Sequence, residues 1–526
     1  MNGFCGERHS AAPAGAVALC VGDPVVITTG GQSLRDSFGV RVFSREEQPN
    51  FGQSLPYKGE TLPFKGETLP LKGETLPYKG GNKGQTDYLH KTVLRFYDAS
   101  CRARRLQGKG NIVSIRAHFM KPSVLIALAA SLIATTTFAQ APAAMSAKRV
   151  MPWDGMALAK TPVIHATAER PAKGMRSFFY EGLEYKGKPT WVFAYYAAPE
   201  GKAPEGGWPA VVCAHGGGGT AFPAWVREWN KHGYAAIAMD LEGHLPGGKF
   251  FGVEGNFPPD QPHENAGPKR NSWFGDIALP DKEQWFYHAV ADVIRANSLL
   301  RSFPEINPKK IGLTGISWGG TTVSAVAGVD SRFAFVIPVY GGGYIHKHDM
   351  TPEQYAIYNA KWDPSAHLPY AKMPMLWVSS YTEPVFPVDL FGKSAMTTAG
   401  PSTLCIRPWL IHGHGFGWEE VWEIYAFADS IVKGGPAVPH FATPQVDAKD
   451  GLVHAKFVGE VKNATLSFTN GGGAWKDRKW AGIPCTVGKD EVVSTKPVPA
   501  GATAYVINGA DKRDGCVNSP VVVLKP

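Results

Sequence analysis

The sequence is poor in the features that mark several large protein classes. Charge of one sign is scarce beyond the first 119 residues. Those carry 16 basic and 10 acidic residues, whereas the rest of the 526-residue chain carries 38 and 35. No basic cluster follows Met120, so a nucleic-acid partner is not expected. The apolar run Val124–Ala134 is shorter than the roughly 20 residues a membrane-spanning helix needs. Of the seven cysteines, three precede Met120, and no group of them has metal-site spacing. A run of glycines follows His215, but no Gly-Lys-Ser/Thr comes after it, which argues against a phosphate cradle. What remains is a chain with 44% hydrophobic and 19% charged residues, enough to bury a sizeable core.

The first 119 residues do not read as a domain. Tyr57 to Pro77 holds YKGETLP, FKGETLP and LKGETLP, and a fragment YKG starts at Tyr78. Pro and Gly in every copy exclude a coiled coil, and the copies are too few and short for a solenoid. This stretch is expected to be disordered. Met120 and Lys121 then open a short apolar run followed by TTTFAQAPAA, the pattern of a secretory signal cleaved near Ala139. Such a signal works at a true N-terminus, so translation is expected to start at Met120. The mature chain is expected to be exported, to a bacterial periplasm or beyond the cell, with no membrane association once the signal is cut. The organisation reads as an extension at 1–119, a signal peptide at 120–139, an α/β domain at 140–436 and a small β-rich domain at 437–526.

From about 175 to 435, strands and helices alternate, the pattern of a mostly parallel, doubly wound sheet. Strands are expected at Trp191–Ala197, Pro209–Ala214, Tyr234–Met239, Lys310–Thr314, Phe333–Val339, Met375–Val378 and Leu404–Trp409. A helix is expected after Asp281, with Gln284 as its capping-box partner and Phe286, Val290, Val293 and Ile294 on one face.

The strand at Lys310 runs into Gly315-Ile316-Ser317-Trp318-Gly319-Gly320. This is G-x-S-x-G between a strand and a small-residue helix, which lifts a serine hydroxyl above the sheet. Ser317 is the candidate nucleophile. His215-Gly216-Gly217-Gly218-Gly219 ends an earlier strand, and its main chain can approach a developing oxyanion. The expected donors are the N–H of Trp318 with that of Gly216 or Gly217, and His215 is expected to fix the loop. Glu383, just after the Met375 strand, is the candidate orienting carboxylate, and Asp389 competes with it. His412, after the last strand, is the candidate base, and His414 competes with it. The order serine, acid, histidine is the one this elbow expects. No carboxylate pattern completes a zinc site around His412/His414 or around His346/His348, so no metal is expected.

These segments resemble the α/β-hydrolase superfamily, in particular its prolyl oligopeptidase, acetyl xylan esterase and dienelactone hydrolase branch. GISWGG at 315–320 is similar to the branch's elbow. Met373–Pro387 is similar to its acid segment, with Glu383 where Asp is usual. His412–Lys433 is similar to the histidine loop and last helix of exported acetyl-ester hydrolases. The resemblance implies an eight-stranded sheet, a Ser–His–carboxylate triad, no cofactor and acyl transfer through an acyl-enzyme. A peptidase of this branch carries a β-propeller, for which the roughly 50 residues after Gln140 leave no room. A small-molecule or polysaccharide ester is therefore the expected substrate. A peptidase is the second reading, and a carbohydrate-binding protein on an inert hydrolase scaffold the third.

After Gly434-Gly435-Pro436 the texture changes to short β-like runs separated by turns, read as an antiparallel β-sandwich. Trp475 and Trp480 are candidates for sugar stacking or for packing. Cys485 and Cys516 could pair in an oxidising compartment.

Overall fold

The computed structural model describes residues 149–247, 257–258, 261–345, 350–419 and 421–524. The repeats, the signal-like segment and the His346/His348 pair lie outside the described residues. Among the described residues, no helix is long and apolar enough to cross a membrane.

Eight strands form the central sheet: β1 Arg176–Glu181, β2 Trp191–Ala197, β3 Trp208–Ala214, β4 Ala235–Met239, β5 Ile306–Ile316, β6 Phe335–Val339, β7 Met375–Ser380 and β8 Ser402–Arg407. Their spatial order is β1-β2-β4-β3-β5-β6-β7-β8. Only β2 runs against the rest. A short strand, Ile164–Ala166, adds an antiparallel edge to β1.

Strand periodicity divides the core in two. Along β3, Ala210, Val212 and Ala214 face one apolar cluster, and Val211 and Cys213 face the other. The first cluster takes in α2 Trp285–Leu300, α3 Trp318–Val329 and α4 Val388–Thr397. The second takes in α1 Pro223–Lys231 and α5 Glu423–Val432. Burying one aliphatic side chain is worth about 1.5–3 kcal/mol, so this double cover is the main source of stability.

The expected cap of α2 is different in the structure. Asp281 lies in a 3-10 turn ahead of the helix and pairs with Lys361 Nζ at 2.7 Å. The first helical amide, Trp285 N–H, donates instead to Asp276 Oδ2 at 2.7 Å. A carboxylate distant along the chain replaces the local box. The helix is buried on every side because the chain before β1 covers it: Trp153 Nε1 donates to Tyr287 O, and Ser298 Oγ donates to Leu158 O.

The C-terminal strands pair antiparallel throughout. From the α/β body outward they are Cys516–Asn518, Ala504–Asp511, Val461–Thr469, Ala481–Val487, Glu491–Ser494 and Val453–Val458. Phe441, Val453, Phe457, Leu466 and Ile507 fill their core. Leu404 of β8 pairs with Asn518, so the central sheet continues into these strands across residue 436. Ala481–Val487 was not expected, because Gly482 and Pro484 depress its strand character. Cys485 and Cys516 are free thiols.

Candidate active site

Ser317 joins β5 to α3 at φ 56° and ψ −117°. A non-glycine residue there carries strain on the order of 1–3 kcal/mol. The surroundings enforce it. Ser317 N–H donates to Val339 O at the end of β6, and Ser317 O accepts Thr321 N–H in the first turn of α3, both at 2.9 Å. A side chain at Gly319 would place its Cβ 2.0 Å from the carbonyl oxygen of Ala214, and only glycine admits that approach.

His412 Nε2 lies 2.9 Å from Ser317 Oγ. Its Nδ1 lies 2.9 Å from both oxygens of Glu383. Glu383 is 3% exposed, and its Oε1 also accepts Val385 and Phe386 N–H at 2.8 and 3.1 Å. The imidazole lies 4.5 Å from the ring of Tyr340 and 6.3 Å from that of Phe386, and Tyr340 Oη donates to Gly413 O at 2.5 Å. Asp389, the competing carboxylate, lies in the first turn of α4, and its Oδ1 is buried without a hydrogen-bond partner.

His414 has a different position. Its Nε2 accepts the N–H of Gly216 at 3.0 Å. Burial first, then the neighbouring His215 and His412, push its pKa down to about 3. A neutral ring with an accepting nitrogen follows. One amide expected at the oxyanion is therefore engaged by this ring. Gly217 lies against Trp318: a Cβ at Gly217 would be 2.8 Å from Trp318 Cδ1. Trp318 opens α3, where an amide has no intrahelical acceptor. His215 holds the loop, accepting Leu241 N–H at Nε2 (2.8 Å) and contacting Gly216 O through Nδ1 (2.7 Å).

Two further residues shape the glycine loop. Glu242, 4% exposed, accepts Gly218 N–H at 3.1 Å and Arg270 Nε–H at 3.0 Å through one oxygen. The same Cβ at Gly217 would meet Arg270 Cζ at 2.9 Å. Glu242 could have been suspected as the second acidic residue after the YAAIAM strand. Arg270 carried no sequence signal, because it arrives from a loop distant along the chain. A cavity of about 220 Å³ is lined by Gly342, Gly343, Ile345, Phe386, Leu390 and Phe391, all without polar side chains, and Phe386 also neighbours the His412 ring at 6.3 Å. Among the described residues, no cluster of three or more His, Cys, Asp or Glu could hold a metal ion.

The acetyl xylan esterase (AXE1) family matches residues 173–345, a third of the chain that contains the glycine loop and Ser317. The chain has the α/β-hydrolase fold. The matched family favours a serine hydrolase acting on esters over one acting on peptides. Similar solved structures include an acetyl xylan esterase from Paenibacillus sp. R4 (21% identity, TM-score 0.41, covering 53% of this chain and 92% of that one). Acetyl Xylan Esterase 1 from Thermoanaerobacterium sp. JW/SL YS485 is 15% identical (TM-score 0.37, 52% and 92%). An acylaminoacyl peptidase from Pyrococcus horikoshii is 18% identical (TM-score 0.35, 50% and 42%).

Proposed function

We propose that this α/β-hydrolase is an exported esterase that removes small acyl groups, acetyl foremost, from a carbohydrate or small-molecule alcohol. The observation that carries this reading is the unbroken hydrogen-bond chain from Ser317 Oγ through His412 to Glu383. In the proposed mechanism, His412 takes the proton of Ser317 as its oxygen attacks the ester carbonyl. Glu383 holds the imidazole in the required tautomer and offsets its positive charge. The oxyanion is met by the N–H groups of Trp318 and the glycine loop. His412 then protonates the leaving alcohol. Water, activated by the same ring, releases the acid from the acyl-serine. The apolar cavity that Phe386 shares with the surroundings of His412 supports an uncharged acyl group.

A peptidase is the second reading. The described chain ahead of β1 contributes a four-residue helix, Gly155–Leu158, and one three-residue strand.

Ser317→Ala tests the nucleophile. Turnover of p-nitrophenyl acetate is expected to fall by roughly 10⁴-fold or more with unchanged circular dichroism; full retained activity would reject the site. Acetylated xylan oligomers compared with proline-containing peptides test the class, and release of acetate without peptide cleavage is the expected result.

A further inference from the structure

The C-terminal strands reach the loop of Glu383 through Tyr381, a residue whose sequence carries no signal. Tyr381 follows β7 two positions before Glu383 and is 8% exposed. Its N–H donates to Arg407 O at the end of β8, at 3.1 Å. The adjacent Ser380 donates its hydroxyl to Leu410 O, two positions before His412, at 3.3 Å. The roots of the Glu383 and His412 loops therefore meet at this point.

The side chain of Tyr381 leaves the α/β body. Its hydroxyl donates to Asn508 Oδ1 at 2.6 Å. Asn508 is held in turn: its Oδ1 accepts Asn518 Nδ2, and its Nδ2 donates to Ser467 Oγ, both at 2.5 Å. Asn518 Oδ1 accepts Ile406 N–H, back in β8, at 2.5 Å. The Tyr381 ring lies 4.7 Å from that of Trp480. Trp480 stacks on Trp475, whose other neighbour is the Arg478 guanidinium at 3.7 Å. The two tryptophans considered for sugar stacking thus form a ladder ending on Tyr381.

Packing alone does not account for this arrangement. A phenol hydroxyl costs free energy to bury unless it is paired, and phenylalanine would fill the same volume. The pairing fixes the ring in direction as well as depth. With only Thr382 between Tyr381 and Glu383, any shift of the ring's backbone is passed to the carboxylate. Near-attack geometry is sensitive to displacements of this size.

We propose that the C-terminal strands are a positioning element of the active site: through Asn508 and Trp480 they fix Tyr381, and through Tyr381 the loop that aims Glu383 at His412. The proposal rests on the roles proposed above for Ser317, Glu383 and His412. Tyr381 is a positioning residue, since it acts through Glu383.

The test uses the full chain with Tyr381→Phe, Asn508→Ala, their combination and Trp480→Phe. Lys462→Ala, which breaks an exposed ion pair with Asp514, is the control. Readouts are p-nitrophenyl acetate kinetics, the rate at which a fluorophosphonate labels Ser317, and melting temperature. Loss of one hydrogen bond predicts a three- to tenfold fall in kcat for Tyr381→Phe and for Asn508→Ala, roughly. KM is expected to stay within about twofold, labelling to slow in proportion, and the double variant to lose no more than either single one. Trp480→Phe, which keeps a smaller aromatic ring on Tyr381, is expected to lower kcat less than Asn508→Ala does, and Lys462→Ala to match wild type. Unchanged kcat in folded Asn508→Ala, or a loss confined to KM, would overturn the proposal. Asn508→Ala leaves the Tyr381 ring in place and so decides the matter if Tyr381→Phe does not fold. Glu383→Gln run alongside separates the two claims: wild-type activity in that variant rejects the triad itself, whereas its loss beside unaffected Asn508→Ala rejects only the positioning role.

Discussion

The α/β body and the C-terminal strands share one hydrogen-bonded sheet but bury it differently. In β3, six of seven residues are buried, because helices cover both faces. In Val453–Val458, buried and accessible residues alternate, because one face is open. A sheet covered on both faces leaves its strand ends as the places where polar groups can converge. Ser317, Glu383 and His412 all lie beyond the ends of parallel strands. The half-open strands expose a face, on which His454 meets Asp450 and Glu491 at 3.1 and 3.5 Å. Their contribution to chemistry runs through Asn508 and Trp480 to Tyr381.

The largest effect expected from this contrast separates two imidazoles on one strand-end loop. His412→Ala is expected to lower kcat by roughly 10⁴-fold. His414→Ala, which removes the acceptor for Gly216 N–H, is expected to cost only about tenfold. Steady-state kinetics of the two variants check this, and equal losses would mean that the base is misassigned. Next comes stability. Leu466 is fully buried in the C-terminal core, and Leu466→Ala is expected to cost about 3 kcal/mol. Urea unfolding, followed by tryptophan fluorescence and by activity, should show activity lost together with the C-terminal strands. Activity outlasting them would make the two regions independent.

The smallest effect concerns Asp292 on α2, inside the body. Burial raises its pKa to about 8, against the opposing pull of Arg295. The folded state then keeps a proton that the unfolded chain releases near pH 4. Its contribution to stability is full below about pH 4 and is lost as the pH rises toward about 8. Asp292→Asn removes this slope, so the variant should gain on wild type by about 1 kcal/mol between pH 5 and 6. Urea midpoints at the two pH values measure it.

Much of this architecture was legible in the sequence because it depends on short-range pattern. The buried strands Trp191–Ala197 and Pro209–Ala214 are apolar runs bounded by turns, and G-x-S-x-G marks a strand–helix junction by its small residues. The structure brings Ser317, Glu383 and His412 within hydrogen-bond reach. The cap of α2 was misread because its carboxylate comes from Asp276, outside the local box. The engagement of Gly216 by His414 joins residues 198 positions apart, which no local pattern encodes. Arg270 and Tyr381 were missed for the same reason: their partners are distant along the chain.

The left-handed backbone at Ser317 sets an evolutionary asymmetry. At that dihedral angle a glycine would rest more easily than the serine does. The fold therefore exerts a steady preference for the inert variant, and only the demand for turnover opposes it. Lineages in which that demand lapses would be expected to drift toward more robust, silent descendants that keep the scaffold.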